Sequence, residues 1–251
     1  MTLRFGVTLA LAVVLLAGCG NDESQQTTTE TTTTTGELSR TRVYFLLEEN
    51  VWPVAREISE EGDAATEIVE QLAAGPTEDE QAIGLVSTFP AQAVTVSEVA
   101  NGVATIEVVE ELTIEQRAQL VYSLTALESF VQSVEIDGES YTRADFEEQT
   151  PHVLVESPLA FEEVGSPVTA SGTANTFEAT FHYELTDTDG RIVDENFVTA
   201  TSGTGTRGTF EFTTADYEIP FDGVGALIVF ERSAEDGSRM NLVEIPLRMS
   251  R

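Results

Sequence analysis

The sequence predicts an α+β domain, a small sheet with two helices, followed by an all-β immunoglobulin-like sandwich. Three observations carry this expectation. In the first half, short apolar runs alternate with apolar residues at helical spacing, in the order β-β-α-β-β-α-β. In the second half the apolar period falls to two, and no segment has a helical pattern. Turn residues then divide roughly 100 residues into about seven short strands.

The first unit is expected over residues 42–139. Val43-Tyr44-Phe45-Leu46-Leu47 is a buried strand, and Val54–Ile58 a second one after a turn at Trp52-Pro53. Asp63 is a good N-cap. Ala65, Ile68, Val69, Leu72 and Ala73 follow at helical spacing, and Gly75-Pro76 stops the helix. Val94-Thr95-Val96 and Val103–Val109 flank Asn101-Gly102, a strong two-residue hairpin signal. Thr113 and Gln116 form a capping box. The helix behind them carries Ile114, Ala118, Val121, Leu124, Leu127 and Val131 as its apolar stripe. Val134-Glu135-Ile136 is the last strand, ended by Asp137-Gly138. Residues 140–151 are polar, end at Pro151 and are expected as the connection to the second unit.

That second unit spans residues 152–251. Phe177, Ala179, Phe181, Tyr183 and Leu185 alternate with polar residues, as do Phe210 and Phe212, and Val243, Ile245 and Leu247. Turns are expected at Asp189-Gly190, Gly203–Gly208 and Asp236-Gly237. With one Cys in the chain, packing alone must hold such a sandwich.

Ahead of both units lies a targeting segment, residues 1–18. Arg4 is its only charge, and Val7–Ala17 is an apolar run broken only by Thr8, too short for an ordinary spanning helix. It ends in Leu16-Ala17-Gly18-Cys19, which resembles the bacterial lipobox. There the Cys sulfur carries a diacylglycerol as a thioether, so Cys19 is the expected lipidation site and the new N-terminus. Several acyl carbons bury enough apolar surface for stable anchoring. After processing no stretch remains that could cross a bilayer. Residues 19–41 hold Cys19 and a Thr-rich tether with almost nothing apolar to bury, expected as an extended solvated spacer. The expected location is therefore extracytoplasmic, with lipid anchorage to the cell membrane.

Composition narrows the function classes. Twelve basic residues, all Arg, stand against 44 acidic ones, a net charge of -32. Loss of Arg4 with the signal segment makes it more negative still. Such a chain is repelled by nucleic acid, which excludes that partner. One Cys excludes multi-Cys zinc sites, and two His leave little for metal binding or a His-dependent triad. No cofactor or metal is expected.

Glu110-Glu111 and Glu147-Glu148 are adjacent carboxylates of the kind chance supplies in an acidic chain, and are expected as solvated surface. Asp187-Thr188-Asp189-Gly190 with Asp194-Glu195 offers oxygen ligands but lacks calcium-loop spacing, so a β-turn is favoured. The glycines from Gly203 to Gly208 precede a strand rather than a helix, which favours a loop over a phosphate cradle. His182 falls on the polar side of its strand and is expected to face solvent. His152 sits at the domain boundary. Trp52, beside a proline, is expected to pack rather than stack on a sugar.

Leu72-Ala73-Ala74-Gly75-Pro76-Thr77, Pro90, Asn101-Gly102-Val103-Ala104 and Val121-Tyr122-Ser123-Leu124-Thr125 resemble the GerMN domain of sporulation and spore germination proteins. Ser157-Pro158, Ser166-Pro167, Ser171-Gly172-Thr173-Ala174, Asn175-Thr176-Phe177-Glu178-Ala179 and Asp236-Gly237-Ser238 resemble the immunoglobulin-like domain of bacterial spore germination proteins. The first resemblance implies a fold like those that stack side by side in envelope assemblies. The second implies a domain that binds a partner or the cell wall. Neither family carries an agreed catalytic constellation, so no enzyme is expected. The expectation is a membrane-anchored interaction or assembly module of the cell envelope, with an envelope protein or a second copy as partner. The competing expectation is a lipoprotein that binds cell-wall glycan.

Overall fold

A computed structural model describes residues 38–59, 63–90, 93–127 and 130–251. The described residues open on a long hairpin, β1 (Leu38–Leu47) and β2 (Asn50–Ser59), so residues 38–41, expected as the end of the tether, belong to a strand paired with β2. Its turn lies at Glu48-Glu49, not at Trp52-Pro53, which sit inside β2 opposite Phe45 and Tyr44. Glu48 takes the left-handed conformation (φ 56°) that Gly or Asn usually supplies, so the sequence carried no turn signal there. Pro53 is tolerated because β2 is the edge of its sheet, whose order is β2-β1-β3, with β3 at Leu85–Val86.

Helix α1 (Ala64–Ala74) starts as expected, with Asp63 accepting from the Thr66 backbone N–H, and stops at Gly75 (φ 79°). The short α2 (Glu78–Ala82) follows on a capping box of Thr77 and Glu80. Strands β4 (Val94–Ala100) and β5 (Val103–Val108) close through Asn101 (φ 53°) and Gly102 (φ 82°), the left-handed pair of a type I′ turn. Helix α3 (Ile114–Leu124) begins on the Thr113–Gln116 box and is shorter than its apolar stripe. Thr125 terminates it by donating from Oγ1 to the Val121 carbonyl at 2.6 Å. Val131 is buried beyond the helix, while Ile114 is exposed.

The stripe also understated how buried α3 is. Gln119 and Ser123 are fully buried, because they serve β1 where no strand does. The Tyr44 N–H donates to Ser123 Oγ at 2.9 Å, and Gln119 Nε2 donates to the Tyr44 carbonyl at 3.2 Å. Two side chains of a helix thus stand in for a missing ladder strand.

Strand β6 (Ser133–Ile136) runs parallel to β5. The Asp137-Gly138 turn then leads into β7 (Glu139–Tyr141), completing a sheet of order β4-β5-β6-β7. Residues 140–151 are more structured than a polar connection. They finish β7 and form a 3₁₀ helix, Arg143–Gln149, which buries Phe146.

The second half is an all-β sandwich. One sheet has order β13-β10-β8, from β8 (Val153–Ser157), β10 (Thr169–Ala174) and β13 (Gly208–Thr213). The other has order β12-β11-β14-β15-β9. Its strands are β9 (Glu163–Val164), β11 (Thr180–Thr186), β12 (Ile192–Thr199), β14 (Gly223–Arg232) and β15 (Arg239–Met249). Rings from both sheets meet in the core: Phe181 of β11 packs edge-on against Phe210 of β13 at 4.8 Å, and Tyr183 stacks on Phe212 at 4.3 Å. Close approach of β8 to β10 requires Gly172, since a Cβ there would lie 2.0 Å from the Leu154 carbonyl oxygen.

The period-two reading fails at two places. Phe177 is exposed, because residues 177–179 form a 3₁₀ turn before β11. His182 and Glu184 lie on the outer face of the five-stranded sheet, yet neither is openly solvated. His182 is half-buried against the Phe230 ring, and buried Glu184 accepts from Arg239 at 2.6 Å.

Candidate functional site at the domain boundary

The described residues belong to one compact unit, and the two domains share a continuous apolar core. Strand β2 of the first domain meets β8 of the second: Trp52, Pro53, Val153 and Val155 wall the same narrow gap.

Two arginines fix this boundary. Arg143 projects from the 3₁₀ helix Arg143–Gln149. It donates to Glu156 of β8 at 2.8 Å, to Thr125 Oγ1 at 2.8 Å and to the Tyr122 carbonyl at 3.1 Å. Its guanidinium also lies over the rings of Tyr122 and Tyr44, at 4.8 and 5.4 Å. The Tyr44 hydroxyl donates to Glu156, so a tyrosine of the first domain and an arginine of the segment joining the domains converge on one carboxylate of the second. Burial first, then the Glu156 carboxylate, pushes the Tyr44 hydroxyl far above its usual pKa. Burial opposes the charge on Arg143, but Tyr44 and Glu156 more than compensate, and its pKa rises.

Arg207 makes the second bridge. It stands in the loop from Gly203 to Gly208 and reaches across to Glu147, with Nε to the two carboxylate oxygens at 3.1 and 2.9 Å. It also donates to the Pro151 carbonyl at 2.9 Å. Asn175 supports the same carboxylate at 2.9 Å. Burial works against ionisation of Glu147, yet hydrogen bonds from Arg207 and Asn175 hold its pKa below the ordinary value. The expected solvated pair at Glu147-Glu148 is therefore half wrong. Glu147 is a bridge residue, and only Glu148 is fully exposed. The glycines bring the loop close to its neighbours: a Cβ at Gly203 would lie 2.5 Å from the Thr176 carbonyl, and one at Gly208 2.3 Å from the Ser202 nitrogen.

His152, the first residue of the second domain, makes a contact within that domain. Its Nδ1 lies 2.8 Å from Glu231, which also accepts from Asn241 at 2.7 Å and from the Phe177 N–H.

Beside these bridges the domains leave an open cleft of about 910 Å³. Leu47, Ile83, Leu242 and Pro246 line its apolar parts, while Glu48, Glu148 and Glu244 stand around it. Trp52 lines it too but is 5% exposed, which makes it a packing residue.

The remaining sequence candidates fall elsewhere. Cys19 lies outside the described residues. Asp187 is buried and accepts from the Asp189 and Arg191 N–H groups and from the Arg191 guanidinium. Burial opposes its ionisation, but these hydrogen bonds win and lower its pKa. That is a self-contained turn. Asp194 is engaged separately, by the Tyr183 hydroxyl at 2.6 Å and the Ala215 N–H. Among the described residues no three His, Cys, Asp or Glu side chains converge as a metal site, and no helix is long and apolar enough to cross a membrane. Arg143, Arg207 and Glu156 were not singled out from the sequence. A usable signal was present: arginine is scarce in this chain, and one stands in the supposed connection while another stands in a glycine loop.

Residues 42–142 match the family model described as sporulation and spore germination. Residues 152–238 match the model described as the immunoglobulin-like domain of bacterial spore germination. Among solved structures, the chain is similar to the tandem GerMN domains of the sporulation protein GerM from Bacillus subtilis. That similarity has 24% identity and a TM-score of 0.33, and spans 39% of this chain and 38% of that one. No curated protein matches the chain significantly. The chain carries a sporulation and spore germination domain followed by an immunoglobulin-like domain of bacterial spore germination.

Proposed function

We propose that this chain is a non-catalytic interaction module of the cell envelope, held outside the cytoplasm by lipid on Cys19. One observation carries the reading. The two germination-type domains are joined through a shared core and two bridging arginines, so a partner would meet them as a single preformed surface. A preformed surface costs less ordering entropy on association than two independently moving domains. Lipid anchorage adds two-dimensional concentration, which raises the effective concentration of any partner in the same membrane. The chemistry of the bridges is structural: each carboxylate in them is neutralised by an arginine rather than left free to move protons.

The test is crosslinking capture of the tagged protein from its own membranes, with Cys19→Ala as control. The reading expects a discrete set of protein partners in the membrane fraction, lost together with membrane association in the control. Recovery of wall fragments with no protein would favour the glycan-binding alternative. Unchanged membrane association of Cys19→Ala would overturn the anchor.

A further inference from the structure

We infer that the cleft between the two domains docks an extended, lysine- or arginine-bearing segment of a partner protein. The inference deepens the interaction-module reading and rests on it.

The first argument is the state of the charges around the cleft. Glu48 comes from the β1–β2 turn, Glu148 from the 3₁₀ helix and Glu244 from β15, so three separate elements bring carboxylates to one opening. All three are exposed, and among the described residues none has a cationic partner. The basic side chains at the same opening are already engaged: Arg207 pairs with Glu147, and the His152 ring nitrogen contacts Glu231. An incoming cation therefore finds unpaired carboxylates, while an incoming anion finds no free positive charge. Among the described residues most arginines are paired with a carboxylate, so acidic side chains left over at a concave surface select for positive charge from outside.

The second argument is shape and polarity. A cleft of about 910 Å³ at a domain boundary lies within the usual range of ligand sites. Its apolar parts include Leu242, 48% exposed, which offers a contact for an aliphatic side chain between the charges. The Asn50 amide, with no partner among the described residues, can bond a peptide group. A glycan fits less well. Among the described residues Trp52 is the only Trp, Tyr or Phe lining the cleft, and at 5% exposure it has no face free to stack on a sugar, while the His152 ring is held by Glu231. The net charge of the chain adds long-range steering of a basic partner toward the site.

The experiment uses the full chain in detergent and calorimetric titration. The probes are a synthetic peptide alternating Lys with Leu and Ala, the same peptide with Glu for Lys, and an N-acetylglucosamine oligomer. One variant combines Glu48→Gln, Glu148→Gln and Glu244→Gln. A second combines Glu211→Gln, Glu218→Gln and Glu235→Gln, an equal charge change at exposed positions that do not line the cleft. The inference expects the Lys peptide to bind, with affinity reduced about tenfold in the first variant and by less than about twofold in the second. The single tryptophan, Trp52, reports occupancy directly through its emission. Equal weakening in both variants would mean diffuse attraction to an acidic chain and would overturn the site. So would binding of the sugar oligomer in place of the peptide, or no peptide binding at all. Protein partners crosslinked from membranes at positions away from the cleft would overturn this inference while leaving the interaction-module reading intact.

Discussion

Replacing Arg143 by Met should destabilise the protein strongly. The side chain is about a quarter exposed and its partner Glu156 is 11% exposed, so the pair is largely withdrawn from water. Removing the guanidinium takes away hydrogen bonds to Glu156, Thr125 and the Tyr122 carbonyl and contacts with two aromatic rings. It also leaves the Glu156 carboxylate with the Tyr44 hydroxyl as its remaining partner among the described residues. Breaking a buried pair from one side costs about 3–5 kcal/mol, and the partial exposure of Arg143 points to the lower end, about 3 kcal/mol. For a unit of this size that lowers Tm by about 6–12 °C. The assay is thermal and urea denaturation of the protein without its first nineteen residues, run as a double-mutant cycle. Most of the loss comes from the abandoned carboxylate, so Arg143→Met with Glu156→Leu should recover about half of it or more. A single-variant loss below about 1 kcal/mol, the range of exposed pairs, would refute the latch. So would a double variant as unstable as the sum of the singles.

Other outcomes follow from the same geometry. Arg56 grips Glu80 through two bonds of 2.7 Å, and although burial opposes ionisation, these bonds lower the Glu80 pKa from 4.5. A depressed carboxylate gives stability present above 4.5 and lost as pH falls through the folded-state value. Acid titration of stability should therefore be shallower in Glu80→Gln, and an identical slope would contradict the assignment. Tyr44 acts at the other end: its raised pKa gives stability that is complete below 10.0 and declines above it, an alkaline loss that Tyr44→Phe should reduce. The acid excess predicts a higher Tm in molar salt than in dilute buffer, because screening relieves self-repulsion; equal values would refute this. Gly172→Ala should disrupt the pairing of β8 and β10, since a methyl would meet the Leu154 carbonyl oxygen at 2.0 Å; protected amide exchange in both strands would show otherwise.

The sequence carried most of the elements that have local chemistry. Asp63, the Thr113–Gln116 box and Asn101-Gly102 each satisfy or shape the backbone within a few residues, and each did so in the fold. What was missed depends on partners far along the chain. The β1–β2 turn is held by a hairpin ten residues deep, which lets Glu48 adopt a left-handed conformation that its own side chain does not favour. Gln119 and Ser123 look like surface residues of a helix until the unpaired backbone of Tyr44 is placed beside them. Glu147 and Glu184 look like solvated acids until Arg207 and Arg239 arrive from 60 and 55 residues away. The candidate site was the least legible part, because it is made by contact between two domains and no single motif contains it.

The central claim is that the two germination-type domains act as one body, and backbone ¹⁵N relaxation of the protein without its first nineteen residues tests it most directly. The account predicts one shared rotational correlation time for amides of residues 42–142 and 152–238, giving way to two shorter ones in a variant carrying Arg143→Met and Arg207→Ala that remains folded. Two distinct correlation times in the unaltered protein would contradict it.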